Sequence, residues 1–308
     1  MKILVTGGAG FIGSHIVDAY VNAGHTVTVL DNLSTGRRQN LNHGAQFIEG
    51  DIRDRGLAEL FARERFDLVN HQAAQMDVRR SVADPLFDAD NNIIGFLNIL
   101  QNCVEHAVPK VIFASSGGVV YGEQDYFPAD EGHPQRPVCP YGVAKLTGEK
   151  YLYYYAVNFG MKYTAFRYAN VYGPRQNPHG EAGVIAIFLE KLFNREQPII
   201  NGDGGQTRDF VYVSDAAAAN LAALTAADNE ILNIGTGIET SINEIYHHLN
   251  ELTGANMPPR HGPAKAGEQR RSVIAVEKAA QLMNWRPRVQ LREGLSAALD
   301  FFRSCELT

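Results

Sequence analysis

The string Tyr141-Gly142-Val143-Ala144-Lys145 sets a phenol and an ammonium four residues apart, so on a helix both project from one face. A free phenol titrates at about 10 and is a poor base at neutral pH. A neighbouring cation favours the phenolate, which makes the pair a candidate proton acceptor and donor. Upstream, Ser115-Ser116-Gly117-Gly118 follows an apolar run, placing a hydroxyl at the C-terminal end of a strand, where open α/β sheets present their ligands. Such a hydroxyl can hydrogen-bond the oxygen that Tyr141 deprotonates.

A second group of residues handles phosphate. Gly7-Gly8-Ala9-Gly10-Phe11-Ile12-Gly13 satisfies both G-x-x-G-x-x-G and G-x-G-x-x-G. It closes a strand and opens a helix, so backbone N–H groups and the helix dipole face a pyrophosphate. Asp31 stands where a carboxylate accepts from an adenosine ribose 2′-OH. A carboxylate there repels a 2′-phosphate and selects NAD over NADP, with Arg37 and Arg38 as the opposing signal. Asp51-Ile52 follows the third strand and His71-Gln72-Ala73-Ala74 the fourth, where small residues let a dinucleotide approach. His71 reads equally as a cofactor contact or as a buried core histidine.

The elements that must position these groups alternate β-branched runs with longer amphipathic stretches, the pattern of a doubly wound parallel sheet of the Rossmann type. Strands are expected at Lys2 to Thr6, Thr26 to Leu30, Gln46 to Glu49, Leu68 to Asn70, Lys110 to Ser115 and Tyr163 to Tyr168. Helices are expected at Phe11 to Ala23, Asp54 to Arg63, Pro85 to Glu105 and Tyr141 to Phe159. The division expected is a dinucleotide-binding domain over 1–169 and a smaller α/β lobe over 170–308, with about 207–235 returning to the first through a helix at Ser214 to Ala227 and a strand at Ile231 to Ile234.

The 308 residues carry a net charge of −6, which offers no field for nucleic acid. No leader and no membrane span is read, and the expected setting is the cytoplasm. Cys103, Cys139 and Cys305 are widely spaced and read as reduced thiols. His247-His248 and His261 lack metal-ligand spacing.

With Asn32-Leu33, Asn92, Gly95, Val120-Tyr121-Gly122, Arg167 to Gly173, Gln206 to Val211 and Gly267-Glu268 added, the chain resembles the extended short-chain dehydrogenase/reductase family, most closely its nucleotide-sugar epimerases of the UDP-glucose 4-epimerase type. The resemblance implies that Tyr141 is the general acid/base, that Lys145 also holds the nicotinamide ribose and that Ser116 orients the sugar. Ser115 is the alternative, because the segment before Tyr121 is one residue longer than the usual epimerase pattern. Around NAD it implies Gly7, Gly10, Phe11, Ile12, Gly13, Asp31, Asn32, Asp51, Ile52, Gln72, Ala73, Ala74, Asn92, Tyr141, Lys145 and Tyr168. Asn170 and Arg208 would hold a diphosphate, the backbone at Val184-Ile185 a uracil and Glu268 the substrate ribose; Lys265 stands where arginine is usual. An ion pair with Asp209 is the other reading of Arg208.

The implied reaction inverts C4 of a UDP-sugar through a transient 4-ketone. Related dehydratases carry an acid just after the serine or threonine, where this chain has Gly117 and Gly118. The sugar stays open. Glucose and galactose come first, the N-acetyl forms if Ser272 leaves room, and glucuronate if Arg175 or Arg167 meets its carboxylate. A nucleotide-sugar reductase, a simple dehydrogenase and a non-catalytic NAD-binding regulator are the other readings. A homodimer is implied through the helices at Pro85 to Glu105 and Tyr141 to Phe159, whose apolar residues Phe87, Ile94, Leu97, Tyr151, Leu152 and Tyr155 serve either an interface or the core.

Overall fold

A computed structural model describes residues 1–179, 183–264 and 269–305. In chain order it runs β1 (Lys2–Thr6), α1 (Phe11–Asn22), β2 (Thr26–Asp31), β3 (Gln46–Glu49), α2 (Leu57–Glu64), β4 (Leu68–His71), α3 (Val78–Ala83) and α4 (Pro85–Ala89). A π turn at Asp90–Ile94 leads to α5 (Gly95–Glu105), β5 (Lys110–Ser116), the short α6 (Gly117–Val120), α7 (Pro140–Phe159) and β6 (Lys162–Tyr168). There follow β7 (Asn170–Tyr172), α8 (Val184–Phe193), β8 (Ile199–Asn201), β9 (Thr207–Arg208), β10 (Phe210–Tyr212), α9 (Val213–Ala222), β11 (Glu230–Ile234), β12 (Thr240–Ser241), α10 (Ile242–Thr253), β13 (Arg260–Gly262), α11 (Glu277–Met283) and α12 (Leu291–Cys305).

Seven strands form one sheet in the order β11-β6-β5-β4-β1-β2-β3, every neighbour parallel. Alternation along each strand divides the apolar residues between two faces. Ile3 and Val5 pack with Ile16, Val17 and Tyr20 of α1 and with Ala216 and Ala219 of α9. Leu4, between them, faces Phe61, Phe96, Ile99, Phe113 and Leu152. The strand order turns back between β1 and β4, so the loops after these two strands flank the switch point where such sheets bind ligands. A third apolar cluster, built by Tyr172, Ile185, Phe188, Leu189, Tyr246, Leu249, Leu295 and Leu299, lies in the later part of the chain.

The sheet has the parallel, helix-covered architecture expected from the sequence, and three local expectations fail. The helix expected from Pro85 to Glu105 is broken into α4, the π turn and α5. Asp84 caps α4 by accepting from Phe87 N–H at 3.0 Å. The consecutive short polar side chains Asp90, Asn91 and Asn92 then compete for backbone, Asn91 reaching the Phe87 carbonyl at 2.8 Å. The alanine-rich helix stops at Ala222 rather than Ala227, and the buried Lys110 ammonium takes the freed carbonyls of Ala223 and Ala226 at 2.6 and 2.8 Å. Finally, Val276, Ala279, Met283 and Trp285 join the α1/α9 face, a second return of the late chain that its sequence did not reveal.

Candidate active site

The glycine loop is built for close approach. A Cβ at Gly13 would fall 2.2 Å from the Gly7 carbonyl oxygen, and one at Gly7, whose φ is +71°, would fall 2.6 Å from the Ala73 nitrogen. Gly10 is the N-cap of helix α1, which has no side-chain cap bond and no acidic residue in its first turn, and this leaves its N–H groups and positive end for an anion. Asp31 closes β2, 8% exposed. It accepts from the backbone N–H of Ala9 at 3.0 Å and of Leu33 at 2.8 Å, and burial pushes its carboxyl above the usual range. Lone pairs remain on it for a diol. Arg38 pairs with Glu49 and Arg37 donates to Asn177 at 3.0 Å, so both arginines near the ribose position are engaged. The cradle therefore fits NAD and disfavours a 2′-phosphate.

The loop after β4 is braced from α4 and the π turn. Asn92 accepts from Gln75 N–H and donates to the Gln75 carbonyl, both at 2.8 Å, and donates to Asp88 at 2.9 Å. Gln75 Nε2 also donates to Asp88, at 3.0 Å. Sequence reading missed Asp88, which is 1% exposed; its spacing of four residues from Asn92 was the available signal. His71 turns out to be a core residue. It is 1% exposed, hydrogen-bonded to Thr6 Oγ1 at 2.9 Å and stacked on Phe96 at 4.6 Å. Burial, then Lys145, pushes it down to about 3.

Helix α7 carries the phenol and the ammonium. Pro140 opens it, and Cys139 caps it by accepting from Gly142 N–H at 3.4 Å. Lys145 is 4% exposed, with its Nζ 5.6 Å from the Tyr141 ring centroid and 5.0 Å from that of Phe113. Burial pulls the ammonium down to about 8, against the opposing charge of Asp88. Burial, then Asp88 and Cys139, raises half-buried Tyr141 above its usual value, because desolvation and a nearby carboxylate both disfavour the phenolate.

The two serines part company. Ser115 is 3% exposed and donates to Glu149 at 2.6 Å. Glu149 is held by Arg167 through Nε at 2.9 Å and Nη2 at 2.7 Å, with side chains 0% and 1% exposed. Ser115 is thus engaged with Glu149 inside the core, whereas Ser116 is partly exposed at the end of β5 with no cap bond to α6. The same pair removes Arg167 as a partner for a sugar carboxylate, and Arg175 is paired with Asp18 at 2.8 Å.

The remaining expected contacts divide. Asn32 donates to Asp51 at 2.9 Å, and Asp51, held well below the carboxylate range by Arg53, lies beside it with Ile52 buried behind. Gln72 donates to Asn70 at 2.6 Å, and Ala73 and Ala74 line the same loop, partly exposed. Tyr168 is 5% exposed and its hydroxyl accepts from Asn220 at 2.7 Å. Asn170 is exposed on β7 and Val184 opens α8. Arg208 donates to the Thr207 carbonyl at 2.7 Å. Asp209 accepts from Thr236 N–H and Oγ1 at 2.8 and 2.6 Å and from Gly237 N–H at 3.0 Å. Lys265 and Glu268 lie outside the described residues. Among the described residues no cluster suits a metal ion and no helix is long and apolar enough to cross a membrane.

The profile of the NAD dependent epimerase/dehydratase family matches residues 3–235. The chain belongs to this family. It is 47% identical over 302 residues to the putative UDP-glucose 4-epimerase of Methanocaldococcus jannaschii, with 98% of each chain covered. In structure it is similar to the UDP-glucose 4-epimerase of Thermotoga maritima solved with UDP-glucose, at a TM-score of 0.98 and 46% identity, covering 99% of this chain and 100% of the other. It is also similar to the Thermus thermophilus UDP-glucose 4-epimerase in complex with NAD, at 0.93 and 43%, covering 98% and 99%.

Proposed function

We propose that this chain is an NAD-dependent epimerase that inverts C4 of a UDP-sugar, interconverting UDP-glucose and UDP-galactose. The observation that carries this reading is the joint presence of the phosphate cradle at Gly7 to Gly13 and the Tyr141–Lys145 pair on α7, at opposite sides of one strand switch. The cofactor domain is 1–169 with about 207–235, and the sugar nucleotide sits against the lobe of 170–308. Bound NAD supplies a reversible hydride acceptor, so that C4 of the sugar passes through a ketone and is reduced again from its other face.

This chain's own groups do the rest. The α1 N-terminus neutralises the pyrophosphate, and Asp31 accepts from the adenosine ribose with Asn32, Asp51 and Ile52 beside it. Gln72, Ala73, Ala74 and Asn92 bound the path of the dinucleotide. Tyr141 takes the C4 hydroxyl proton and returns it, Lys145 holds its partner ribose and offsets the phenolate charge, and Ser116 fixes the sugar oxygen. Asn170, Arg208, Val184, Lys265 and Glu268 anchor the UDP moiety, remote binding that retains the intermediate while its ring reorients. Gly117 and Gly118 supply no acid for eliminating water.

The small side chain of Ser272 is the basis for including the N-acetyl sugars as a second substrate class, whereas the pairing of Arg167 with Glu149 and of Arg175 with Asp18 disfavours glucuronate. The assembly is a homodimer through α7 and the segment of α4, the π turn and α5, where Ile94, Val143, Tyr154 and Val157 are exposed; Leu152 and Tyr155 belong to the core. The setting is the cytoplasm and the role carbohydrate metabolism, with Cys103 and Cys139 as free thiols.

Incubation of purified chain with UDP-galactose, UDP-N-acetylglucosamine and UDP-glucuronate in turn, with products separated by chromatography, tests the reading. The expected result is rapid formation of UDP-glucose, slower turnover of the N-acetyl sugar and none of glucuronate. Tyr141→Phe should lower the rate by about 10²–10⁴-fold while NAD still copurifies. Full activity of that variant, or wild-type chain inert on all three sugars, refutes the assignment.

A further inference from the structure

The two reactive hydroxyls of the proposed site stand on different elements, Ser116 at the end of β5 and Tyr141 in the first turn of α7. Both must reach one sugar oxygen. Hydrogen-bond chemistry tolerates about 0.5 Å of misplacement, and a shift of about 1 Å costs on the order of 100-fold in rate. The docking of α7 along β5 therefore has to be set by something rigid.

The contacts that set it are on one face of each element. Tyr141, Lys145 and Glu149 follow one another at four-residue intervals on α7, and Phe113 and Ser115 alternate on β5. A Cβ at Gly148 would fall 2.5 Å from the Phe113 ring, so helix and strand touch there without clearance. One residue further along the helix and two along the strand, Ser115 donates to Glu149 at 2.6 Å. Arg167 of β6, 1% exposed, clamps both Glu149 oxygens and donates to Tyr121 at 3.0 Å, which in turn donates to Asn233 of β11 at 2.6 Å. At the other end, a Cβ at Gly142, next to Tyr141, would fall 2.9 Å from the Val119 carbonyl, three residues past Ser116.

We infer that Ser115 and Glu149 are positioning residues for the reaction: their hydrogen bond, anchored by Arg167, fixes the level at which α7 sits along β5 and so the separation of Ser116 from Tyr141. The tandem serines divide the work, one locking the helix and the other meeting the sugar. This rests on the epimerase reading and on Ser116 being the sugar-facing hydroxyl.

Ser115→Ala removes a single hydroxyl and leaves the Glu149–Arg167 pair intact. Measured with UDP-galactose on NAD-saturated enzyme at 25 °C, well below its unfolding midpoint, it should lower kcat about 10-fold, with KM and bound NAD changed less than twofold. Ser116→Ala should cost more, and the double variant should cost no more than Ser116→Ala alone, because misplacing a hydroxyl that is already absent has no further effect. A purely structural serine would lower the unfolding midpoint and leave kcat unchanged, and that result overturns the inference, as do losses that multiply in the double variant. Full activity of Ser116→Ala with an inactive Ser115→Ala would reverse the two roles. The epimerase reading itself is judged separately, by whether wild-type enzyme converts UDP-galactose.

Discussion

The ammonium of Lys145 lies over the ring of Tyr141, 5.6 Å from its centroid, inside the protein rather than at its surface. In the unfolded chain Lys145 keeps its proton up to about 10.5, in the folded chain only to about 8. Folding therefore releases a proton between these values. The burial penalty is full below about pH 8 and is recovered as pH rises through 10.5, worth about 3 kcal/mol by linkage. Urea unfolding at equal NAD saturation should show wild type gaining stability from pH 8 to 10 relative to Lys145→Met. Identical pH profiles for the two chains would remove Lys145 as the buried titrating group.

Asp88 opposes the ionisation of Tyr141 and supports that of Lys145. Asp88→Asn takes away the negative charge, so the phenol loses its proton more readily. The acid limb of the kcat/KM profile should move to lower pH by about half a unit to one unit. A limb that stays in place, or moves upward, means that Asp88 serves only to brace Gln75 and Asn92.

A methyl group at Gly13 has nowhere to go, its carbon falling 2.2 Å from the Gly7 carbonyl. Gly13→Ala should purify with at least about tenfold less NAD, because the loop must open away from the pyrophosphate to admit the side chain. Mass spectrometry of the denatured chain reads the nucleotide content and circular dichroism the fold. Undiminished NAD would show that the dinucleotide does not use this loop.

Glu149→Leu leaves the guanidinium of Arg167 buried without its anion, an arrangement that costs about 3–5 kcal/mol. Thermal or urea unfolding should show that loss, and Glu149→Leu combined with Arg167→Met should recover most of it. If the double variant is as unstable as the sum of the single ones, the two side chains do not act as a pair.

The sheet was legible because Ile3, Leu4 and Val5 alternate between two covered faces, and the cradle because glycines and Asp31 keep fixed places relative to β1 and β2. What escaped depends on contacts distant in the chain. Ser115 and Ser116 are chemically alike, and a glutamate 34 residues further on decides between them. Tyr168 sits in a motif that suggests a ligand, yet its hydroxyl finds Asn220, 52 residues away. Asp88 is hidden by the π turn at Asp90–Ile94, whose extra residue breaks the helical period that a pattern search relies on.

Among the described residues the outer edge of β6 is covered by β11, a strand synthesised after the first part of the later lobe. A chain emerging from the ribosome has the nucleotide cradle in place while that edge, and the face of α1 that α9 will cover, still lie bare. Such an edge invites pairing with other chains. Fragments stopping at Tyr168 should therefore aggregate instead of serving as autonomous dinucleotide binders, and production of this enzyme in pieces will be limited by the strand that arrives late.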